Sequence, residues 1–324
     1  MPASQLSTFP NGFNNGVSIR GMPIAQTHPG RAFWVSNNTT GLLVGQRGGS
    51  DGNKGTFDSP FSTLNYAITQ CVANRGDIIF IKPGHAETVS SATALNFNVA
   101  GVAIVGLGLG SNRPKFTIDT ANTATIPVSA DNISVQNCQF VANFLSIAAC
   151  FTLSTAKEFT VQNCYFYDTS SILNFLNIVK STGAANTVDG LTFTDNVVKN
   201  LGVTSNNTTI LSANDIDRLT ISRNYLRWAV QNDKAIAAII TAGVVTNAIL
   251  ADNWCYRPNT TTAGGSLITV GGTTSTGIVA RNYVQTLTTT SDLLFTTTVG
   301  LAAFDNRVTG AVGASGFLIP AADS

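Results

Sequence analysis

Seven times between residues 131 and 310 the chain returns to one eight-residue phrase. It reads apolar, any, apolar, any, any, Asn or Cys, any, apolar, as in Ile133 to Phe140 and Leu219 to Leu226. The sixth position falls at Cys138, Cys164, Asn196, Asn224, Asn253, Asn282 and Asn306, so successive copies stand 24 to 32 residues apart. A period of this size marks stacked supersecondary units. Apolar residues two apart, such as Ile133 and Val135, turn alternate side chains of a strand inward. The next inward residue, Phe140, comes five positions later, which requires a bend between two strand limbs. A propeller blade needs four strands in about 40 residues or more and does not fit this period.

One bent strand per repeat, with no helical pattern between repeats, predicts an all-β fold: a single-stranded parallel β-helix, or solenoid. A second strand per coil is predicted near Phe151, Ile178, Ile210, Ile239, Leu267 and Leu294. Nine or ten coils, stacked at ~4.8 Å, would make an axis of about 45 Å. Stacking brings bend residues of successive coils together. Asn196, Asn224, Asn253, Asn282 and Asn306 are therefore expected to form an internal ladder that pairs their buried amides.

Composition narrows the function classes. Hydrophobic residues make up 44% and charged residues only 11%, and the apolar positions are periodic, which excludes a disordered chain. Eighteen basic against seventeen acidic residues leave no cationic footprint for nucleic acid. No apolar run approaches the ~18 residues of a membrane span, and the first residues carry no signal-peptide pattern. The five cysteines (71, 138, 150, 164 and 255) lack metal-ligand spacing. They are expected to be buried free thiols of a protein made in a reducing cytosol, with a stacked Cys138–Cys164 disulfide as the alternative.

Residues 1–32 carry Gly, Pro and Asn without periodicity and predict an extended arm, with Phe9, Phe13, Ile19, Arg20, Met22 and Ile24 as its anchoring residues. Residues 33–324 are expected to form one β-helix domain. Apolar residues at helical spacing over about 60–73, with Pro60 in the first turn, predict a helix that caps the open end of the solenoid. The loop 48–55 holds one carboxylate, Asp51, too few for calcium, and is assigned to turn chemistry. Gly106, Gly108 and Gly110 are not followed by a helical pattern and are assigned to a turn, not to a dinucleotide fingerprint.

Residues 49–56, 59–64 and 76–87 (Gly49 to Thr56, Ser59 to Leu64, Gly76 to Glu87) resemble the entry segment of pectin-lyase-like, right-handed parallel β-helix proteins, in the version found in virions of tailed bacteriophages. What that resemblance implies is a virion structural protein: a capsid decoration, or cement, protein whose arm grips the phage major capsid protein on the capsid surface, made in the bacterial cytoplasm. The alternative is a tail-associated spike that binds, or cleaves, host surface polysaccharide. Low charge on the lateral faces adds the expectation of a homotrimer.

Chemistry-bearing residues are sparse, with two Glu (87 and 158) and two His (28 and 85). Before the bend stand Asp195, Arg223, Asp252, Arg281 and Asp305, whose alternating sign predicts an outward structural ladder. His85 and Glu87 are expected to share a surface hydrogen bond. With no paired carboxylates, nucleophile set, metal spacing or cofactor loop, the expectation is a protein that is not an enzyme and has no cofactor or metal. One place after the bend, Tyr165, Tyr225, Trp254 and Tyr283 are predicted outward, with Tyr167, Trp228, Tyr256, Arg227 and Arg257 nearby. The favoured role for this aromatic face is an interface between chains, and glycan stacking is the alternative.

Overall fold

The structure, a computed structural model, describes residues 17–19, 22–24, 30–202, 208–212, 214–228, 238–240, 243–257, 266–270, 274–286, 293–295, 300–309 and 316–317. Each copy of the repeated phrase contributes its first limb to one parallel sheet and its second limb to another. The first sheet holds ten strands in chain order, from Ala32–Val35 and Ile78–Ile81 to Leu301–Phe304. The second also holds ten, from Ala86–Thr88 to Arg307–Thr309 with Gly316–Phe317 antiparallel at its edge. A third sheet of seven runs from Ile126–Val128 to Leu293–Phe295. Every internal strand of these sheets pairs with its equivalents one coil before and one coil after, so the chain is an all-β parallel β-helix.

Register turns alternation into stacked columns of core side chains. On the first sheet Val135, Val161, Phe193 and Ile221 are successive partners, all buried. On the second, Phe116, Phe140 and Phe166 stack with ring centroids 5.6 and 5.1 Å apart. Burying one such ring contributes about 1.5–3 kcal/mol.

The bend has a backbone cause that the phrase alone does not show. Its fifth position is left-handed in every copy: Asn137, Asn163, Asp195, Arg223, Asp252, Arg281 and Asp305 have φ between 52° and 59°. Asn and Asp tolerate this region; Arg does so at a cost of about 1 kcal/mol. A second left-handed column, Gly101, Asn132, Glu158, Gly190, Arg218 and Asn247, precedes the first-sheet strands.

At the bend the later coils are tied by asparagine. The Asn196, Asn224, Asn253 and Asn282 N–H groups donate to Oδ1 of the next Asn at 2.9, 3.1, 3.0 and 3.0 Å. Each Nδ2 donates to a strand carbonyl beneath, as Asn253 does to Ile221 at 3.0 Å. All five asparagines are buried.

The capping helix is shorter than the sequence pattern suggests, Leu64–Thr69. Thr63 is its N-cap and accepts from the Tyr66 N–H. Asp51 accepts from the Ser62 and Thr63 N–H groups, and Glu87 from the Leu64 N–H. These partners stop the helix from extending back to Pro60. Leu64, Ala67 and Ile68 are buried over the first coil.

The arm is not wholly extended, because Val17–Ile19 and Met22–Ile24 pair as a two-stranded antiparallel ribbon. Phe9, Phe13 and Arg20 lie outside the described residues. All five cysteines are free and buried. Burial pushes the Cys71, Cys164 and Cys255 thiols up to about 12.

Candidate binding face on the second sheet

Because second-sheet strands alternate in and out, their outward residues form two adjacent columns. In register, the first is Lys115, Gln139, Tyr165, Val197, Tyr225, Trp254, Tyr283 and Arg307. Beside it run Thr117, Val141, Tyr167, Lys199, Arg227, Tyr256 and Gln285. The four aromatic residues singled out in the sequence thus share one column. Tyr225 and Trp254 are 38% and 49% exposed. Trp254 meets Tyr225 at 5.7 Å and 66°, and Tyr283 at 5.6 Å and 88°, an edge-to-face run up the helix axis. Tyr165 leans on Tyr167 instead, at 5.4 Å, and its partial burial raises the phenol above its usual range. The side chains of Trp228 and Arg257 fall outside the described part of the structure. Neither column contains a carboxylate, while Lys115, Lys199, Arg227 and Arg307 supply cations.

The charged stripe borders this face at the bend and is organised as pairs. Arg223 forks onto Asp195 at 2.7 and 2.8 Å, and Arg281 onto Asp252 at 2.7 and 2.7 Å. The guanidinium bonds hold both carboxyls below the usual carboxylate range. Across the gap between pairs only the longer-range field acts, of Asp252 on Arg223 and of Asp305 on Arg281.

Two acids elsewhere differ from expectation or were missed. His85 is not at the surface: its side chain is fully buried, Nδ1 accepts from the Asn37 N–H at 3.1 Å, and Nε2 meets Glu87 Oε2 at 3.1 Å. With Nδ1 used as an acceptor, the neutral ring carries its proton on Nε2 and donates it to Glu87. That carboxylate also caps the helix, so the pair fastens the cap to the first coils. Asp168 ends a second-sheet strand and is buried; it accepts from the Phe175 and Leu201 N–H groups at 3.0 and 2.8 Å. Burial pushes its carboxyl up to about 7 against those bonds. Its signal was parity, since Asp168 stands two after the inward Phe166. Among the described residues, no three His, Cys, Asp or Glu gather as a metal site, and no helix is long and apolar enough to cross a membrane.

No family model and no curated protein matches the chain. Two solved structures are similar to it. A rhamnogalacturonan lyase shares 14% identity and a TM-score of 0.46, over 86% of this chain and 87% of its own. The pectate lyase Pel9A shares 14% identity and a TM-score of 0.42, over 85% and 79%. The likeness concerns the fold. It corrects one expectation: both structures are polysaccharide lyases, enzymes, so the inference that this chain is not an enzyme does not stand.

Proposed function

We propose that this chain binds a polysaccharide along the outer face of its second sheet. The observation that carries the reading is half-exposed Trp254, set between Tyr225 and Tyr283 in consecutive coils. A rigid β-helix presents these rings at ~4.8 Å steps, and Tyr and Trp give large contact area at low entropic cost. The polar surroundings favour a hydroxyl-rich polymer over a second protein chain. Cores of protein interfaces are depleted in Lys, Asp and Glu, whereas Lys199 stands inside this face and Asp195 and Asp252 border it. Bidentate and ammonium donors among the rings suit a ligand with many hydrogen-bonding oxygens. The setting we propose with it is a receptor-binding spike of a tailed-phage virion.

Calorimetry on the full chain with a panel of bacterial surface polysaccharides tests this. Trp254→Ala is expected to weaken binding of the recognised polymer by about tenfold or more, about 1.4 kcal/mol, with Tyr225→Ala following. The same samples, assayed for new chain ends, show whether the bound polymer is also cleaved. A Trp254→Ala protein that keeps full affinity overturns the reading.

A further inference from the structure

A cleft lies on a different sheet. On the first sheet the outward column opens with Trp34, Phe80 and Val105 in register, apolar where the next members, Gln136 and Gln162, are polar. Trp34 leans on Phe80 at 5.0 Å, and Phe57, brought back by the loop that follows the first strand, meets Trp34 edge-on at 4.9 Å. Lys82, just past the strand Ile78–Ile81, lays its ammonium 4.1 Å from the centre of the Phe57 ring and donates to the Phe57 carbonyl.

Beside this cluster a cleft of about 510 Å³ is lined by Trp34, Leu42, Leu43, Arg47, Phe57 and Lys82 among others. That volume falls in the range of small-molecule sites, about 300–1,000 Å³. Its walls are mixed, with Leu42, Leu43, Phe57 and Leu107 beside Ser36, Asn38, Thr40 and Gln46; its two charged groups are both cations, and no acidic side chain lines it. Asp58 is the acid whose field reaches Lys82, but burial outweighs it and pushes the ammonium below its usual range. Apolar lining surface lies in water: Leu43 is 71% exposed.

We propose that this cleft binds an amphipathic organic anion, a carboxylate carried on an apolar body. The carboxylate sits between Lys82 and Arg47. Lys82 has three N–H donors and spends one on the Phe57 carbonyl. A partly desolvated ammonium gains more from a counter-ion than one in open water does. The apolar body covers Leu42, Leu43 and the exposed edge of Phe57, removing from water the surface that the loop leaves bare. The proposal does not depend on polysaccharide binding at the second sheet.

Calorimetric titration of the full chain with decanoate, decanol and acetate separates the two recognition elements. Decanoate is expected to bind saturably at one site per chain, decanol at least about tenfold more weakly, and acetate not measurably below about 1 mM. Lys82→Met should lower decanoate affinity by about tenfold. Should Lys82→Met disturb the fold, Leu43→Ser at the exposed rim carries the test, with an expected loss of about fivefold. Equal binding of decanol and decanoate, unchanged affinity in both variants, or no saturable decanoate binding below about 1 mM overturns the proposal.

Discussion

The bends of the early coils and those of the late coils solve the same problem with the amide in different places. In the early coils the left-handed residue is Asn137 or Asn163, and its side chain does the bonding. Asn137 Nδ2 donates to the Gly106 and Gly108 carbonyls at 2.8 and 2.9 Å, while the following Cys138 packs into the core. From Asn196 onward the amide moves one place along, into the interior, and the left-handed position is released to solvent, where Asp and Arg take it. The chain thus exchanges a thiol core with a neutral rim for an amide core with a charged rim. A buried polar column is tolerable only when each member finds its partners. The late column meets that condition by continuity: each Asn accepts from the one before and donates to the coil beneath.

Grafting the early solution onto the late column should break it. Asn253→Cys removes the acceptor of the Asn224 N–H and the donor to the Ile221 carbonyl, leaving both buried. Each unsatisfied group costs about 1–3 kcal/mol, so a loss of about 3 kcal/mol is expected in urea-unfolding free energy, where two-state behaviour holds. Cys164→Ala, which trims a packed side chain and its weak S–H donation to the Gln162 carbonyl, should cost about 1 kcal/mol. Equal losses for the two would mean that the ladder bonds add nothing to packing.

How far this contrast could be seen in the sequence depended on the length scale of its cause. The repeated phrase exposed the sheets and the Asn column, because both follow from alternation and a fixed period. It set Cys138 and Asn196 in one class and so hid the displaced amide, since which of two adjacent residues turns inward depends on backbone φ. The helical spacing runs back to Pro60, whereas the true start at Leu64 is decided by Asp51 and Glu87, partners 12 and 23 residues from Thr63 and Leu64. The aromatic column was legible residue by residue. The cleft at Lys82 was not, because a loop with no periodicity builds one wall of it.

The junction between the two regimes carries a pH-dependent prediction. Asp168 ends the strand that pairs with Val197–Asn200, where Asn200 takes the corresponding place and donates to the Phe175 carbonyl at 2.9 Å. The early side thus holds a buried acid where the late side holds an amide. The folded carboxyl titrates at about 7 against a reference of 3.8, so between those values the native state keeps a proton the unfolded chain has lost. Stability therefore falls as pH rises from about 4 to 7, by at most about 1.4 kcal/mol per pH unit, and levels off above. Asp168→Asn lowers stability at acid pH, because one amide oxygen cannot serve both N–H donors. Its diagnostic effect is to flatten this slope. A wild-type slope that persists in the variant would assign the titration to another group.

The smallest effect is expected at the charged rim of the late coils. Arg223 pays for its left-handed backbone with a bidentate pair to Asp195, both partners exposed enough to be screened. Arg223→Asn, which copies the early coils, trades the pair for a residue better suited to φ near 54° and should change stability by no more than about 0.5 kcal/mol. Arg223→Asp also suits the backbone but sets a third negative charge between Asp195 and Asp252. It should cost about 1 kcal/mol, and more at low salt, because the Debye length grows from about 8 Å at physiological ionic strength to about 30 Å at 0.01 M. Melting temperatures of both variants across that salt range separate backbone from charge. If Arg223→Asp is insensitive to salt while Arg223→Asn is destabilised, the arginine acts through packing of its stem, and the rim is not an electrostatic ladder.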